Sequence, residues 1–334
     1  MKAYISWLWL LTLSFSSLVM GKAQSPSATK SPTSNSASAA PAAESNEKPG
    51  RESTPTPTPR GSLNRAAPPK LGEPINDKAV TRFLESEGEK LARSEKTLTS
   101  WANEMGARSC FLKLPVPGKR KLNSADIAER MEQSVVIVGI FYRCEKCSDL
   151  HLARATGFII SESGAMVTSR HALASFSAAA GGVVALTRDG QLCAVREVLA
   201  ADPLNDLLVL QLEGANFTPL PLAASARIGA PILVLSHPVS HFYSLTSGII
   251  SRYSTQRRRD GVVNFLSITA DFAKGSSGAP VVDESGAVVG IVWNTFSIYF
   301  DDDDDSKKDN LQMVIKDCAT SQALLDLVQQ KPGR

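Results

Sequence analysis

The sequence predicts an all-β protein over residues 122–331, with short helices confined to its ends. Three observations carry that prediction. Short runs rich in β-branched and aromatic residues recur, about eleven of them, each bounded by turn-forming residues. Asp-Gly pairs at "RDGQ" and "RRDGV" fall between such runs, as in tight β-hairpins. Helical patterning is limited to the 77–105 stretch, "NSADIAERMEQ" and "TSQALLDLV", and no repeat of fixed period runs through the chain. Many short strands with few helices build a double sheet or a pair of barrels.

Taken in order, the chain opens with "MKAYISWLWLLTLSFSSLVMGKAQS". Lys2 supplies a minimal positive region, Tyr4 to Met20 an apolar one, and Gly21 and Ala23 small residues for cleavage. Residues 1–21 read as a signal peptide, the apolar run being short for a spanning helix. The mature protein is therefore expected to be secreted or periplasmic, with no stable membrane span. Residues 22–75 are mostly Ser, Pro, Ala and Thr. They lack the apolar surface needed to offset the entropy of ordering, so a disordered linker is expected.

Residues 76–121 are expected to form a helical N-terminal extension. Leu84, Leu91, Leu98 and Met105 recur every seventh residue, but the companion heptad position holds Glu87 and Ser94. A single amphipathic helix packed on the main domain fits better than a coiled coil. In "NSADIAERMEQ", Asn123 or Ser124 is placed to cap a short helix. The strand runs follow: "SVVIVGIFY", "ARATGFIIS", "AMVTS", "VVALTRDGQLCAV", "LLVLQL", "PILVLSH", "LTSGIISRY", "VVNFLSITA", "APVV", "AVVGIVW" and "LQMVIK". "TSQALLDLV" reads as a terminal helix, and no second domain is expected after Lys331.

The net charge of +3 and the 43% apolar content describe an ordinary globular chain. Neither asks for nucleic acid or an anionic membrane as partner. The five cysteines are Cys110, Cys144, Cys147, Cys193 and Cys318. An odd number in an exported chain leaves at least one thiol without an intrachain partner. "CEKC" has the spacing of a zinc knuckle or redox pair, but no second pair exists and His151 is the one nearby histidine. A local disulfide is expected there, and no metal or other cofactor.

One constellation carries chemistry. Acyl transfer through serine needs a hydroxyl, a base, a group that orients the base, and donors aimed at the oxyanion. In "DFAKGSSGAPVV", Ser277 sits in a tight glycine turn before an apolar strand. In "GFIISESGAMVTSRHAL", a strand, a turn and a second strand end at His171. In "ADPLNDLLVLQL", Asp206 opens an apolar strand, while Asp202 before Pro203 reads as a turn residue. The N–H groups of Gly275 and Ser277 are candidates for an oxyanion hole, and Gly278 lets the chain turn after the nucleophile.

The order His171, Asp206, Ser277 resembles the trypsin/chymotrypsin-like superfamily, and most of all its HtrA (Deg-like) branch. "ATGFIISESGAMVTSRHAL" is similar to that branch's G-S-G-F-I-I followed by G-x-x-x-T-x-x-H. "DPLNDLLVL" is similar to D-P-x-x-D-L-A-V-L, and "GSSGAP" to G-N-S-G-G-P. "LTSGIISRY" resembles its T-x-G-I-V-S segment. The resemblance covers about residues 122–330. It implies two packed six-stranded antiparallel β-barrels, chymotrypsin-like, with His171 and Asp206 from the first and Ser277 from the second. It also implies a trypsin-like serine protease domain over residues 122–331, in which Val292, Trp293 and Asn294 line the substrate cleft.

Several positions depart from the pattern. Ser276 stands where Asn or Asp is usual, which removes the ion pair by which secreted trypsins are activated. Ala279 replaces a glycine, Lys274 replaces a proline, and no C-terminal peptide-binding domain is expected. Asp271, six residues before Ser277, occupies the position that selects Arg or Lys in trypsin; local loop geometry could equally turn it outward. "FDDDDDSKKD" after "GIVWNT" reads first as a solvated loop, with an electrostatic cleft rim or a calcium site as alternatives. "RRR" at 257–259 reads as an exposed hairpin tip, too short to bind nucleic acid.

The leading reading is an exported serine endopeptidase acting on protein or peptide substrates, its oligomeric state open. The alternative is a catalytically weak or inactive protease-fold protein that binds unfolded or partner proteins. An intact triad argues against that alternative; Ser276 and Lys274 leave room for it. An esterase using the same triad is a further reading. An α/β-hydrolase is disfavoured, because its acid and histidine follow the serine.

Overall fold

A computed structural model describes residues 74–94, 104–144, 147, 149–174, 181–300 and 310–329. The expected signal peptide, the linker up to residue 73, Leu98 and the aspartate run lie outside the described residues.

The strand runs close into two antiparallel barrels of six strands each. The first contains β1 (Val135–Arg143), β2 (Leu150–Ile159), β3 (Ala165–Ser169), β4 (Gly181–Leu186), β5 (Leu192–Asp202) and β6 (Leu207–Leu212). Its hydrogen-bonded order is β1-β2-β3-β6-β5-β4. The second contains β7 (Pro231–Ser236), β8 (Ser244–Arg258), β9 (Gly261–Ile268), β10 (Pro280–Asp283), β11 (Val288–Tyr299) and β12 (Leu311–Thr320), in the order β10-β11-β12-β9-β8-β7. The expected chymotrypsin-like architecture is present, with few and short helices.

"SVVIVGIFY" is apolar at nearly every position because both faces of β1 are buried. Val136, Val138 and Ile140 fill the first barrel. Val135, Ile137 and Phe141 join a separate layer that reaches Leu233 and Leu235 of β7 and Leu324 near the C-terminus. Ile232, Val234, Leu266, Val281 and Val289 fill the second barrel. Cys193 and Cys318 lie in these two interiors, where burial pushes the Cys193 thiol up to about 12. The expected Asp-Gly hairpins both form: Gly190 has φ 88°, and Arg258 pairs with Gly261 across a two-residue turn.

The helices close the ends. Helix α1 (Asp77–Phe83) continues through a π-helical turn (Leu84–Gly88) into α2 (Glu89–Ser94). Val80, Leu84, Gly88 and Ala92 form its buried stripe, and Phe141 packs over Gly88. A Cβ at Gly182 would overlap the Ala92 carbonyl, so this close helix–sheet approach needs glycine there. Asn123 caps α3 (Ser124–Ser134), its Oδ1 accepting from the Asp126 N–H at 2.8 Å. Helix α4 (Arg170–Ala174) is a single turn after β3, and α5 (Ser321–Gln329) ends the described fold.

The extension departs from expectation after residue 104. It runs extended rather than helical. Arg108 pairs with Ala201, and the Cys110 and Leu112 N–H groups donate to the Leu327 and Val328 carbonyls at 3.1 and 2.9 Å. Those carbonyls end α5 and have no partner within their own helix. Pro115 and Pro117 further disfavour helix here. The "RRR" run is also only partly an exposed tip. Arg258 lies over the rings of Phe265 and Trp293, 5.3 and 4.9 Å from their centres.

Candidate active site

Strand β3 delivers the chain to α4, whose first turn carries His171. Asp206 ends the turn before β6 in a left-handed conformation, φ 59°. That turn is held by Asp202, whose carboxylate accepts from the Leu204 and Asn205 N–H groups at 2.9 and 3.0 Å. This is the turn role expected for Asp202. Asp206 is fastened to α4 through three bonds. Its carbonyl accepts from the Arg170 N–H at 2.9 Å, and Oδ1 from the His171 N–H at 2.8 Å. Oδ2 accepts from His171 Nδ1 at 2.5 Å.

The other ring nitrogen, His171 Nε2, lies 2.9 Å from Ser277 Oγ. With Nδ1–H committed to the carboxylate, Nε2 is the acceptor and the Ser277 hydroxyl the donor. The structure thus brings all three residues into one hydrogen-bonded line across the barrel boundary. Asp206 is largely buried and His171 about half exposed, so the line opens towards solvent at its serine end.

Gly275 has φ 99° and packs on the chain after β7, where a Cβ would sit 2.5 Å from the His237 carbonyl. Among the described residues, neither the Gly275 nor the Ser277 N–H donates to another protein group. The preceding carbonyl, of Lys274, is instead drawn outward by the Val239 N–H at 2.7 Å. Val239 holds φ 48° and ψ 36°, a left-handed geometry that is costly for a β-branched residue. Gly278, φ 87°, lets the chain pass hard against the first barrel, where any Cβ would overlap Thr156 and Thr168.

Thr156 on β2 is the residue that sequence reading passed over. Its Oγ1 donates to the Gly275 carbonyl at 2.8 Å and accepts from the His237 N–H at 3.2 Å. Its N–H donates to the Ser277 carbonyl at 3.1 Å, and its carbonyl accepts from Thr168 Oγ1 at 2.8 Å. The signal was a hydroxyl inside the otherwise apolar "ATGFII". Ser276, the unusual residue beside the nucleophile, is fully buried and donates to Ser236 Oγ at 3.0 Å. A neutral pair replaces an ionic anchor there.

A cleft of about 480 Å³ opens beside the triad, lined by His171, Ser277, Gly275, Arg154, Tyr142 and Ile140 among others. A larger cavity of about 890 Å³, lined by Arg108, Asn205, Tyr253 and Asn264, shares no residue with it. The smaller one is the relevant one, because Ser277 and His171 open into it. None of the proposed substrate-binding residues lines that cleft. Val292 has its side chain in the second barrel, and its carbonyl is taken by Gly278 N–H and Ser169 Oγ at 3.0 and 3.1 Å. Its side chain is therefore withdrawn from that cleft. Trp293 sits at a bulge in β11 and stacks on Phe265 at 4.8 Å. Asn294 is exposed. Asp271 points outward, its side chain 85% exposed, and pairs with Lys316 Nζ at 2.8 Å.

The trypsin-like peptidase domain family matches residues 155–291, the span that contains all three triad positions. The chain carries a trypsin-like peptidase domain. Its curated relatives include human "Serine protease HTRA3", 27% identical over 186 residues, covering 52% of this chain and 40% of that protein. A "Probable periplasmic serine endoprotease DegP-like" of Ectopseudomonas mendocina is 30% identical over 138 residues, covering 41% and 28%. "Uncharacterized protein y4bJ" of Sinorhizobium fredii is 33% identical over 140 residues, covering 41% and 21%. HtrA-type and DegP-like proteases are thus among the proteins this domain resembles, and the chain spans between about a fifth and two fifths of these relatives. A solved HtrA-type protease, AlgW with a decapeptide, is similar with a TM-score of 0.49 at 20% identity over 61% of this chain and 65% of that one.

Proposed function

We propose that this protein is an exported serine endopeptidase, with His171, Asp206 and Ser277 as its catalytic residues. The observation that carries the reading is the unbroken line Asp206 Oδ2, His171 Nδ1, His171 Nε2, Ser277 Oγ, at 2.5 and 2.9 Å. In this mechanism Ser277 Oγ attacks the scissile carbonyl while Nε2 takes its proton. Asp206 holds the ring in the required tautomer and stabilises its cationic form. The Gly275 and Ser277 N–H groups receive the negative oxygen. Collapse breaks the C–N bond, and His171 returns the proton to the departing amine. Water then enters by the same base and frees Ser277 from the acyl-enzyme.

Export rests on residues 1–21 and on the periplasmic naming of the DegP-like relative. Among the described residues no helix is long and apolar enough to cross a membrane. The domain plan proposed is the signal peptide, a linker to residue 75, the extension to 121 and the protease domain over 122–331. Protein or peptide substrates are the proposed partners.

Labelling with a fluorophosphonate probe tests the reading. Wild type should be labelled, and Ser277→Ala and His171→Ala should not. Peptide hydrolysis by either variant should fall by several powers of ten, about what such triads lose. A folded wild type that takes no label, with the extension present or removed, would point to a binding protein instead.

A further inference from the structure

The β1–β2 ribbon carries a second cluster of reactive side chains at its tip. Ile140, Tyr142 and Cys144 alternate onto one face, with Ala153 opposite Ile140 and His151 opposite Tyr142. The Tyr142 and His151 rings stack with centres 5.5 Å apart at 26°. The Cys144 N–H donates to the Asp149 carbonyl at 3.1 Å, extending the ladder one pair beyond the strands. Cys147, itself exposed, places Sγ 2.9 Å from His151 Nε2. The two sulfurs and a ring nitrogen of His151 all lie within 4.8 Å of one another. The structure holds Cys144 and Cys147 as thiols in contact, where the sequence led us to expect a local disulfide.

We propose that Cys144, Cys147 and His151 bind a soft divalent transition metal, with zinc the best match. Bonds of about 2.3 Å to sulfur and about 2.0 Å to nitrogen place tetrahedral zinc ligands roughly 3.5–3.8 Å apart, within the spread of this cluster. Two thiolates and an imidazole favour zinc over magnesium or calcium. Both thiol protons leave to solvent as the metal binds. Three protein ligands leave the fourth position to water, so the missing second Cys pair is no obstacle. The same ribbon face continues inward to Tyr142 and Ile140 in the cleft wall, so the metal would pin the rim of that cleft. The site stands independently of the proteolytic reading.

The test is a titration of the reduced full chain with cobalt(II) under argon, followed by zinc(II). We expect one equivalent of cobalt to bind, with a thiolate charge-transfer band and the intense visible bands of a tetrahedral ion, both erased by zinc. Cys147→Ser, in the exposed turn, should abolish the charge-transfer band or weaken binding by at least about tenfold. Cys144→Ser should do the same, and Cys110→Ser should change nothing. His151→Ala should lose the tetrahedral spectrum; should it fail to fold, the two serine variants decide. Reduced wild type without a charge-transfer band, or a Cys147→Ser variant that keeps the band and binds cobalt as tightly as wild type, would overturn the proposal.

Discussion

At the scale of single residues, Lys316 decides what Asp271 can do. The lysine is mostly buried, and its ammonium reaches the exposed carboxylate at 2.8 Å. A carboxylate already paired attracts a basic substrate side chain weakly. Wild type should therefore show little preference for Arg or Lys before the scissile bond. Lys316→Ala should raise cleavage after those residues, by about fivefold at most, the scale of one partly exposed pair. Profiling both proteins on a peptide library checks this; strong basic preference in wild type would contradict it. His237 makes a different prediction. It is fully buried between the rings of Phe242 and Tyr243, and burial pushes its pKa from 6.5 down to about 3. Below about pH 6.5 the unfolded chain takes up a proton that the native ring refuses. Stability contributed by the neutral ring is complete above that value. It is lost as pH falls towards 3, at up to about 1.4 kcal/mol per pH unit. Denaturant melts of wild type and His237→Asn across that range should show a flatter acid limb in the variant.

At the scale of elements, α1 and the turn that follows it bear on the loop after β7. The Asp77 carboxylate accepts from the Phe242 N–H at 3.1 Å. Glu85 pairs with Arg154 at 3.5 Å, and Arg154 donates to Ser240 Oγ at 3.2 Å. The N–H of Val239, in that same loop, donates to the Lys274 carbonyl beside Gly275, next to the proposed oxyanion donors. No residue of the described 74–94 segment lines the cleft. The described 74–94 segment thus braces the loop after β7 and stays out of the cleft. Asp77→Ala should lower kcat with little change in KM, by less than the hundredfold or so that follows loss of one oxyanion donor. A rise in kcat would assign the segment an inhibitory role instead. The strap beyond residue 104 shows why this part of the chain was poorly legible. Of the heptad positions only Met105 falls here, and the Cys110 and Leu112 backbone donors are claimed by carbonyls at the end of α5, more than two hundred residues later. Propensity is local, and that claim is not.

At the scale of the whole molecule, legibility follows the same divide. The strands were readable because each is a short apolar run between turn residues, and "AMVTS" and "LLVLQL" coincide with β3 and β6 residue for residue. The meeting of His171, Asp206 and Ser277 was readable because motif order reports it. Thr156 was not, because its four bonds join pieces of chain that no spacing relates. It ties β2 to Gly275, Ser277 and His237, and hence one barrel to the other. Thr156→Val keeps the shape and removes the hydroxyl, leaving a buried carbonyl and N–H short of partners. The cost should be about 1–3 kcal/mol in a denaturant melt, with kcat falling more than that stability loss alone explains. Unchanged turnover would place the barrel junction elsewhere.

The division of the triad between two separately closed barrels also sets a timetable. The first barrel is complete once β6 has been made, with its base and acid already joined. The nucleophile comes later, and its barrel closes only when β12 pairs with both β9 and β11. A nascent chain still emerging from the ribosome therefore carries His171 and Asp206 with no serine yet beside them. The line from Asp206 to Ser277 is secured only when that last strand joins. A chain stopped before Leu311 should be inert to the fluorophosphonate, whatever its first barrel has achieved.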